Sequence, residues 1–378
     1  MKIALIKRRC SLKAGGSERY CVNLSRELTS RGHEVTVIGH QIDEELAGEI
    51  DFISVPINRL SSAHKNRSFA RNAGQAARSG GFDVVYALGR SYGVDAVRVT
   101  ERLQSHWVNV NYQQPLNSWW QKRNPRHTTL IQLEREIYSA QSTRRIVTQS
   151  KLDHQLVQKY YQIEESKLRT IYNGVNLKQF HPDRRERREE LRKELGVSES
   201  CPVFLFASMD FEGKGLRTIL ASLAECEHSE ATLIVLGTGP VKRFQKLAQQ
   251  LGISDRVMFL GRRSDIPDFY AMSDLFLLPT EYEPFPNVNL EAMACGTPVI
   301  TTTTSGGADI LQPGVNGFLM TDRHAQADLT AGMNQFLQLT GEQKSQMQQQ
   351  CRQTACEYPL EKNVEQTLSL FEELAHAA

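Results

Sequence analysis

The stretch "LFLLPTEYEPFPNVNLEAMACGTPVITT", residues 275–302, sets the fold. It opens on four apolar residues and closes on a β-branched run after Pro298, with a segment of helical character between them. Pro284 and Pro286 lack a backbone N–H and disfavour helix before them, which leaves Glu283 in an extended loop. Asn287 can cap a helix running to about Cys295, with Gly296 as the stop. Glu291 then lies just past the first turn. A strand, a loop, a helix and a second strand in this order form a βαβ unit with parallel strands. The helix start opens at the carboxyl edge of the sheet, where ligands of open α/β folds bind and phosphates are favoured. A carboxylate on each side of this turn can accept hydrogen bonds from vicinal hydroxyls, one set on a sugar and one on a ribose. Each charged bond contributes roughly 1.5–3 kcal/mol. In the plainer alternative, Glu291 only complements the helix dipole and Glu283 is exposed.

The same plan runs along the whole chain. Strands are expected at 2–6, 34–38, 52–55, 83–87, 145–149 and 168–172, then at 203–207, 232–236, 257–260, 275–278 and 298–302. Helical spacing lies between them, as in 17–31, 240–251 and 287–295. The alternation implies two doubly wound, Rossmann-like α/β domains with parallel sheets, facing each other across a cleft. The pattern breaks at 174–184, with Gly174 and Pro182, placing the domains at 1–178 and 179–359. A last helix at about 360–378 is expected to pack back on the first. The charged run 184–196 reads as a solvated helix.

The chain has 378 residues, enough for two cores, and its 40% hydrophobic and 23% charged content is that of a globular protein. No apolar run approaches the ~20 residues of a membrane span. The seven cysteines show no CxxC spacing, which argues against a zinc site or a disulfide framework and for a reducing cytoplasm. Residues 1–180 carry 27 Lys and Arg against 16 Asp and Glu, an excess of 11; residues 181–378 carry 18 against 27, a deficit of 9. The basic half is expected to meet something anionic.

Several motifs together resemble those of glycosyltransferase family 4, retaining enzymes of the GT-B fold. "EYEPFPNVNLEAMACGTPVITT" is similar to the family's E-x7-E signature, "AGGSERY" to its first loop, and "IYNGVNLKQFHP" to its hinge. The "SMDFEGKGL" stretch and the run from "VLGTGP" to "DLFLLPT" resemble its diphosphate and nucleotide segments. The resemblance covers nearly the whole chain. It implies that Glu283 holds the donor sugar, Glu291 the ribose and Lys214 the diphosphate. Phe285, Asn287, Arg262, Arg263, Gly15 and Gly16 complete the implied donor site, and Ser17 after the two glycines can cap the first helix. "GTGP", 237–240, reads as a turn. Three places depart from the pattern: Pro286 replaces a glycine, Met209, Glu212 and Gly213 fill the positions near Lys214 where the family usually adds an arginine, and Gln149-Ser150 replaces Asn-Ser.

Within the family, "YGVDAVRVTERLQSHW" resembles lipopolysaccharide-core glucosyltransferases, whose register puts Glu101 at the reaction centre, with Asp95 and His106 nearby. A carboxylate there can stabilise positive charge at the anomeric carbon. All three tryptophans fall in 106–127, interleaved with Lys122, Arg123 and Arg126. Such a composition suits an anionic membrane surface; single-stranded nucleic acid would also suit it, but no RNA-binding motif accompanies it. Arg19, Trp119, Trp120, Lys122 and Arg123 are therefore expected on the acceptor or membrane side. No D-x-D triplet occurs, so no metal or other cofactor is expected. The implied activity moves a hexose from a UDP-sugar to a lipopolysaccharide-core or other lipid-linked acceptor, peripherally on the inner face of a bacterial inner membrane. A nucleotide-sugar epimerase and a non-catalytic module for anionic polymers are the alternatives.

Overall fold

The computed structural model describes residues 1–112 and 115–376, with the backbone alone over 115–118. The chain divides into two compact units: Met1–Tyr172 with Glu361–Ala378, and Asn173–Leu360. The boundary falls six residues before 178, at the point where Gly174 passes the returning chain. Leu360 N donates to Val175 O at 3.0 Å and Val175 N to Tyr358 O at 3.0 Å. A Cβ on Gly174 would stand 2.5 Å from Leu360 Cα, so only glycine fits.

The first unit is built on seven strands: β1 (Lys2–Ile6), β2 (Glu34–Gly39), β3 (Asp51–Ser54), β4 (Val84–Ala87), β5 (Ala96–Arg98), β6 (Arg145–Thr148) and β7 (Leu168–Thr170). All pair in parallel in the order β3-β2-β1-β4-β5-β6-β7. β1 and β4 are buried on both faces, as their unbroken apolar runs require. The helix Leu360–His376 packs on this unit through Val364, Leu370, Phe371 and Leu374. Phe371 meets Tyr86 edge-on at 5.0 Å, and Tyr20 Oη donates to Asn363 Oδ1 at 3.0 Å.

The second unit holds β8 (Val203–Ser208), β9 (Thr232–Gly237), β10 (Val257–Gly261), β11 (Leu275–Leu278), β12 (Val299–Thr302) and β13 (Gly317–Met320). Its order is β10-β9-β8-β11-β12-β13, again all parallel. The expected strands recur within a few residues; β5 and β13, three and four residues long, were too short for a periodicity.

Three local expectations are corrected. The run 184–196 is not a solvated face. Arg192 is 1% exposed. Its guanidinium donates to the carbonyls of Ser198, Glu199 and Cys201 at 2.8–3.1 Å and to Asp274 Oδ2 at 2.8 Å. Arg184 and Arg187 pair with the buried Asp268. The arginines are thus absorbed by two carboxylates of the adjoining elements rather than by water. Asn287 is not a cap: Pro286 holds the N-cap position of the helix Asn287–Ala294, and the Asn287 amide oxygen accepts from Asn173 Nδ2 at 2.6 Å. Ser17 does not cap the helix Gly16–Ser30 either. Gly15 is its N-cap, and the Ser17 hydroxyl accepts from Lys7 Nζ at 2.8 Å.

Candidate active site

Both sheets reverse their strand order once, and each reversal opens a crevice at the carboxyl ends of two strands. In the second unit it lies between β8 and β11. After β8 the chain turns through Met209–Gly215. Gly213 N donates to Asp210 Oδ1 at 2.9 Å, and Gly215 adopts φ +80°. A Cβ on Gly215 would stand 2.2 Å from Pro279 O, so glycine alone lets this turn rest on the end of β11. The result is an ion pair between Lys214 and Glu283, whose side chains are 15% and 20% exposed. Two of the residues implied by the resemblance therefore meet across the crevice although 69 positions separate them.

Glu283 is anchored by its backbone, which bridges to Ser305 and accepts from Gly306 N at 2.9 Å. Phe285 is buried below it. Glu291, one helical stretch on, is 8% exposed and accepts from Tyr270 Oη at 3.1 Å. A buried carboxylate with a fixed hydroxyl donor is more than a dipole complement at a surface. Arg263 is engaged on the surface by Asp265, at 2.9 and 2.6 Å, and Arg262 is exposed. Gly15, Gly16 and Arg19 belong to the first unit, where Arg19 N donates to Gly15 O at 3.2 Å.

The crevice of the first unit lies between β1 and β4. Ile6, Lys7 and Arg8 at the end of β1, Glu18 and Asn66 on helices, and Leu88, Gly89, Arg90 and Glu101 line a pocket there. Phe69 and Leu88 supply buried apolar surface. Lys7, 4% exposed, pairs with Glu18 at 3.5 Å; Arg8 Nη1 donates to Asn66 Oδ1 at 3.0 Å. Glu101 pairs with Arg90 and is 46% exposed. Partial burial opposes its ionisation, but the charges of Arg90, Lys7 and Arg8 outweigh it and push the carboxyl down to about 2. Glu101 is thus a permanent anion at neutral pH rather than a proton shuttle. Lys7, Arg8, Asn66, Arg90, Glu134 and Tyr270 escaped the sequence reading. The position of Lys7 and Arg8, directly after a buried first strand, was the one available signal.

Neighbouring candidates have other tasks. Asp95 accepts from Val85 N at 2.8 Å and pairs with Arg144. His106 is pushed down to about 4 by burial and by Lys159 and packs on Tyr160. Ser150 caps the helix Lys151–Tyr161. Trp119 and Trp120 are not core residues. They lie on the helix Pro115–Arg123, 48% and 67% exposed, with the Arg123 guanidinium 3.9 Å above the Trp119 ring. Lys122 and Arg123 are exposed beside them. Among the described residues no helix is long and apolar enough to cross a membrane, and no group of three His, Cys, Asp or Glu is placed to hold a metal ion.

Comparison with known proteins gives the same pattern in both halves. Residues 14–179 match the family model described as Glycosyltransferase Family 4, and residues 187–355 that described as Glycosyl transferases group 1. The chain is 25% identical to spore coat protein SA of Bacillus subtilis over 98% of this chain and 99% of that one. It is 24% identical to the lipopolysaccharide glucosyltransferase WaaG of Escherichia coli, over 85% and 86%. Its fold is that of the WaaG crystal structure, with a TM-score of 0.85, 21% identity and 98% and 99% of the two chains covered. HepE of Anabaena in complex with UDP-glucose follows at 0.75, with 21% identity and 99% and 100% covered.

Proposed function

From a chain that belongs to the group 1 and family 4 glycosyltransferases, of GT-B fold, we propose a retaining hexosyltransferase that uses a UDP-sugar. The acceptor is a lipopolysaccharide-core or other lipid-linked glycan. The observation that carries this reading is the Lys214–Glu283 pair at the strand-order reversal of the second unit, with the buried Glu291 on the helix that follows. Lys214 is assigned to the diphosphate, Glu283 to the donor sugar hydroxyls and Glu291 to the ribose. UDP-glucose bound to the similarly folded HepE supports the choice of donor.

Departure of the diphosphate leaves positive charge at the anomeric carbon and negative charge on the leaving oxygen. Lys214 and the start of the helix Asn287–Ala294 stabilise the leaving group. The ionised Glu101 is suited to the anomeric charge. With Lys214 in this role and no D-x-D triplet, transfer proceeds without a metal and without a cofactor. Trp119, Trp120, Lys122 and Arg123 dock the enzyme peripherally on an anionic leaflet, where a lipid-linked acceptor is anchored. Nucleoside diphosphate release tests the activity. Transfer predicts release from UDP-glucose only when a glycan acceptor is present. Sugar isomerisation without any release would favour the epimerase alternative.

A further inference from the structure

Glu101 does not meet Arg90 by chance of an exposed ion pair. Arg90 is held from behind by Glu134, a carboxylate 1% exposed on the helix Pro125–Ser139. Arg90 Nε donates to Glu134 Oε1 at 2.9 Å, and Nη2 donates both to Glu134 and to Arg102 O, the latter at 3.1 Å. Only Nη1 reaches forward, to Glu101 Oε2. Glu134 is itself fixed from two other sides. Gln104 N, at the start of the helix Gln104–Asn111, donates to its two oxygens at 3.1 and 3.0 Å. Tyr161 Oη, at the end of the helix Lys151–Tyr161, donates to Oε2, and Ser105 Oγ lies 3.1 Å from that hydroxyl.

Charge balance makes the third member informative. Arg90 and Glu134 neutralise each other, and a buried pair of that kind is complete as a structural element. A second carboxylate on the same guanidinium adds nothing to that balance. It does gain a direction, because a guanidinium fixed through Nε and Nη2 presents its remaining N–H bonds along one line. Gly89, immediately before Arg90, has φ +140°, and the nearest atom to a Cβ built there is Glu101 Oε1 at 3.7 Å. A side chain at 89 would meet both backbone strain and the flank of the carboxylate, so glycine keeps that flank open.

We propose that Glu134 and Arg90 are positioning residues of the transfer reaction: Glu134 orients Arg90, and Arg90 holds Glu101 in one orientation as an anion facing the first-unit pocket. This rests on the role given to Glu101 above. The groups that face Glu101 are Arg90 after β4, Lys7 and Arg8 after β1, and Glu18 on the helix Gly16–Ser30. Behind Arg90 stand Glu134, Tyr138 and Tyr161, and burial beside Glu134 holds both phenols well above their usual range. Neither tyrosine therefore titrates where the carboxylate is read.

The side-chain carboxyl carbons of 13C-glutamate-labelled full-length protein, followed by NMR from pH 8 to pH 4.5, test the arrangement, with Glu101→Gln identifying the signal. In the wild type Glu101 is expected not to titrate in this window. In Arg90→Gln its midpoint should rise into the window, by roughly 300-fold or more in proton affinity. Arg90→Lys keeps the charge but not the fork and should fall between them. Glu134→Gln removes an anion behind Arg90 and should leave Glu101 ionised throughout the window while lowering kcat through the lost orientation of Arg90; where it unfolds, the two Arg90 variants carry the test. In transfer assays Arg90→Gln should lower kcat at least tenfold, keep KM for UDP-glucose within about twofold and move the acid limb of kcat upward. Identical Glu101 titration in wild type and folded Arg90→Gln overturns the proposal, and so does full turnover by Glu101→Gln. A wild type that transfers no sugar overturns the functional reading, while the carboxyl titration still decides whether Arg90 holds Glu101.

Discussion

Replacing Glu291 separates nucleotide recognition from sugar recognition. Its carboxylate is 8% exposed, one oxygen accepts from Tyr270 Oη at 3.1 Å, and the role proposed for the group is to accept from the ribose hydroxyls. A hydrogen bond to a charged acceptor contributes about 1.5–3 kcal/mol and one to a neutral acceptor about 0.5–1.5. Glu291→Gln keeps the shape and loses the charge, so the expected loss is about 1–1.5 kcal/mol, or roughly 5- to 12-fold in Kd for UDP. Glu291→Ala removes the acceptor entirely and should cost about 1.5–3 kcal/mol, roughly 12- to 140-fold. Glu283→Gln behaves differently. It releases Lys214 from its ion pair, so bare UDP should bind as tightly as to the wild type or more tightly, while turnover with UDP-glucose falls. Titration calorimetry of the four proteins with UDP, each checked for an unchanged thermal midpoint, gives the answer. Equal losses for Glu283 and Glu291 variants, or unchanged binding by folded Glu291→Ala, would refute the division of roles.

Activity should survive excess EDTA, measured as UDP release with acceptor; complete loss restored by manganese or magnesium would contradict the assignment of the diphosphate to Lys214. Binding to anionic vesicles, absent on zwitterionic ones and weakened by salt, is expected because each basic residue near an anionic leaflet contributes on the order of 1 kcal/mol. Trp119→Ala with Trp120→Ala should lower recovery in vesicle flotation without changing UDP release in solution with a soluble glycan acceptor. His106 has a folded pKa of about 4, below the ordinary ~6.5 of an unfolded chain. The unfolded state therefore takes up its proton first as pH falls. Stability is complete above pH 7 and is lost between about pH 6.5 and 4, by on the order of 2 kcal/mol; His106→Asn should flatten that part of a urea-unfolding profile against pH.

The two sheets were legible because their central strands are buried on both faces and read as unbroken apolar runs between glycines and prolines. The Glu283–Glu291 spacing was legible because the two prolines leave one way to arrange a loop and a helix start. What escaped depends on contacts far apart in sequence. Arg192 stands in a run that looks solvated, and Asp268 and Asp274, which absorb the arginines there, lie some 80 positions on. Glu134 looks like any surface glutamate of an amphipathic helix, since its partners come from three other segments. The local cap expected of Asn287 lost to a tertiary partner, Asn173. Trp119 and Trp120 stand exposed on the helix Pro115–Arg123, a placement that composition alone does not decide.

The configuration of the new linkage tests the central claim most directly. UDP-α-glucose is supplied with a lipopolysaccharide-core acceptor, and the product is examined by proton NMR of its new anomeric centre. A retaining transferase whose site is built on Lys214, Glu283 and Glu291 predicts an α-linked glucose formed by the wild type and not by Glu283→Gln. A β-linked product, or UDP released equally with and without acceptor, would contradict it.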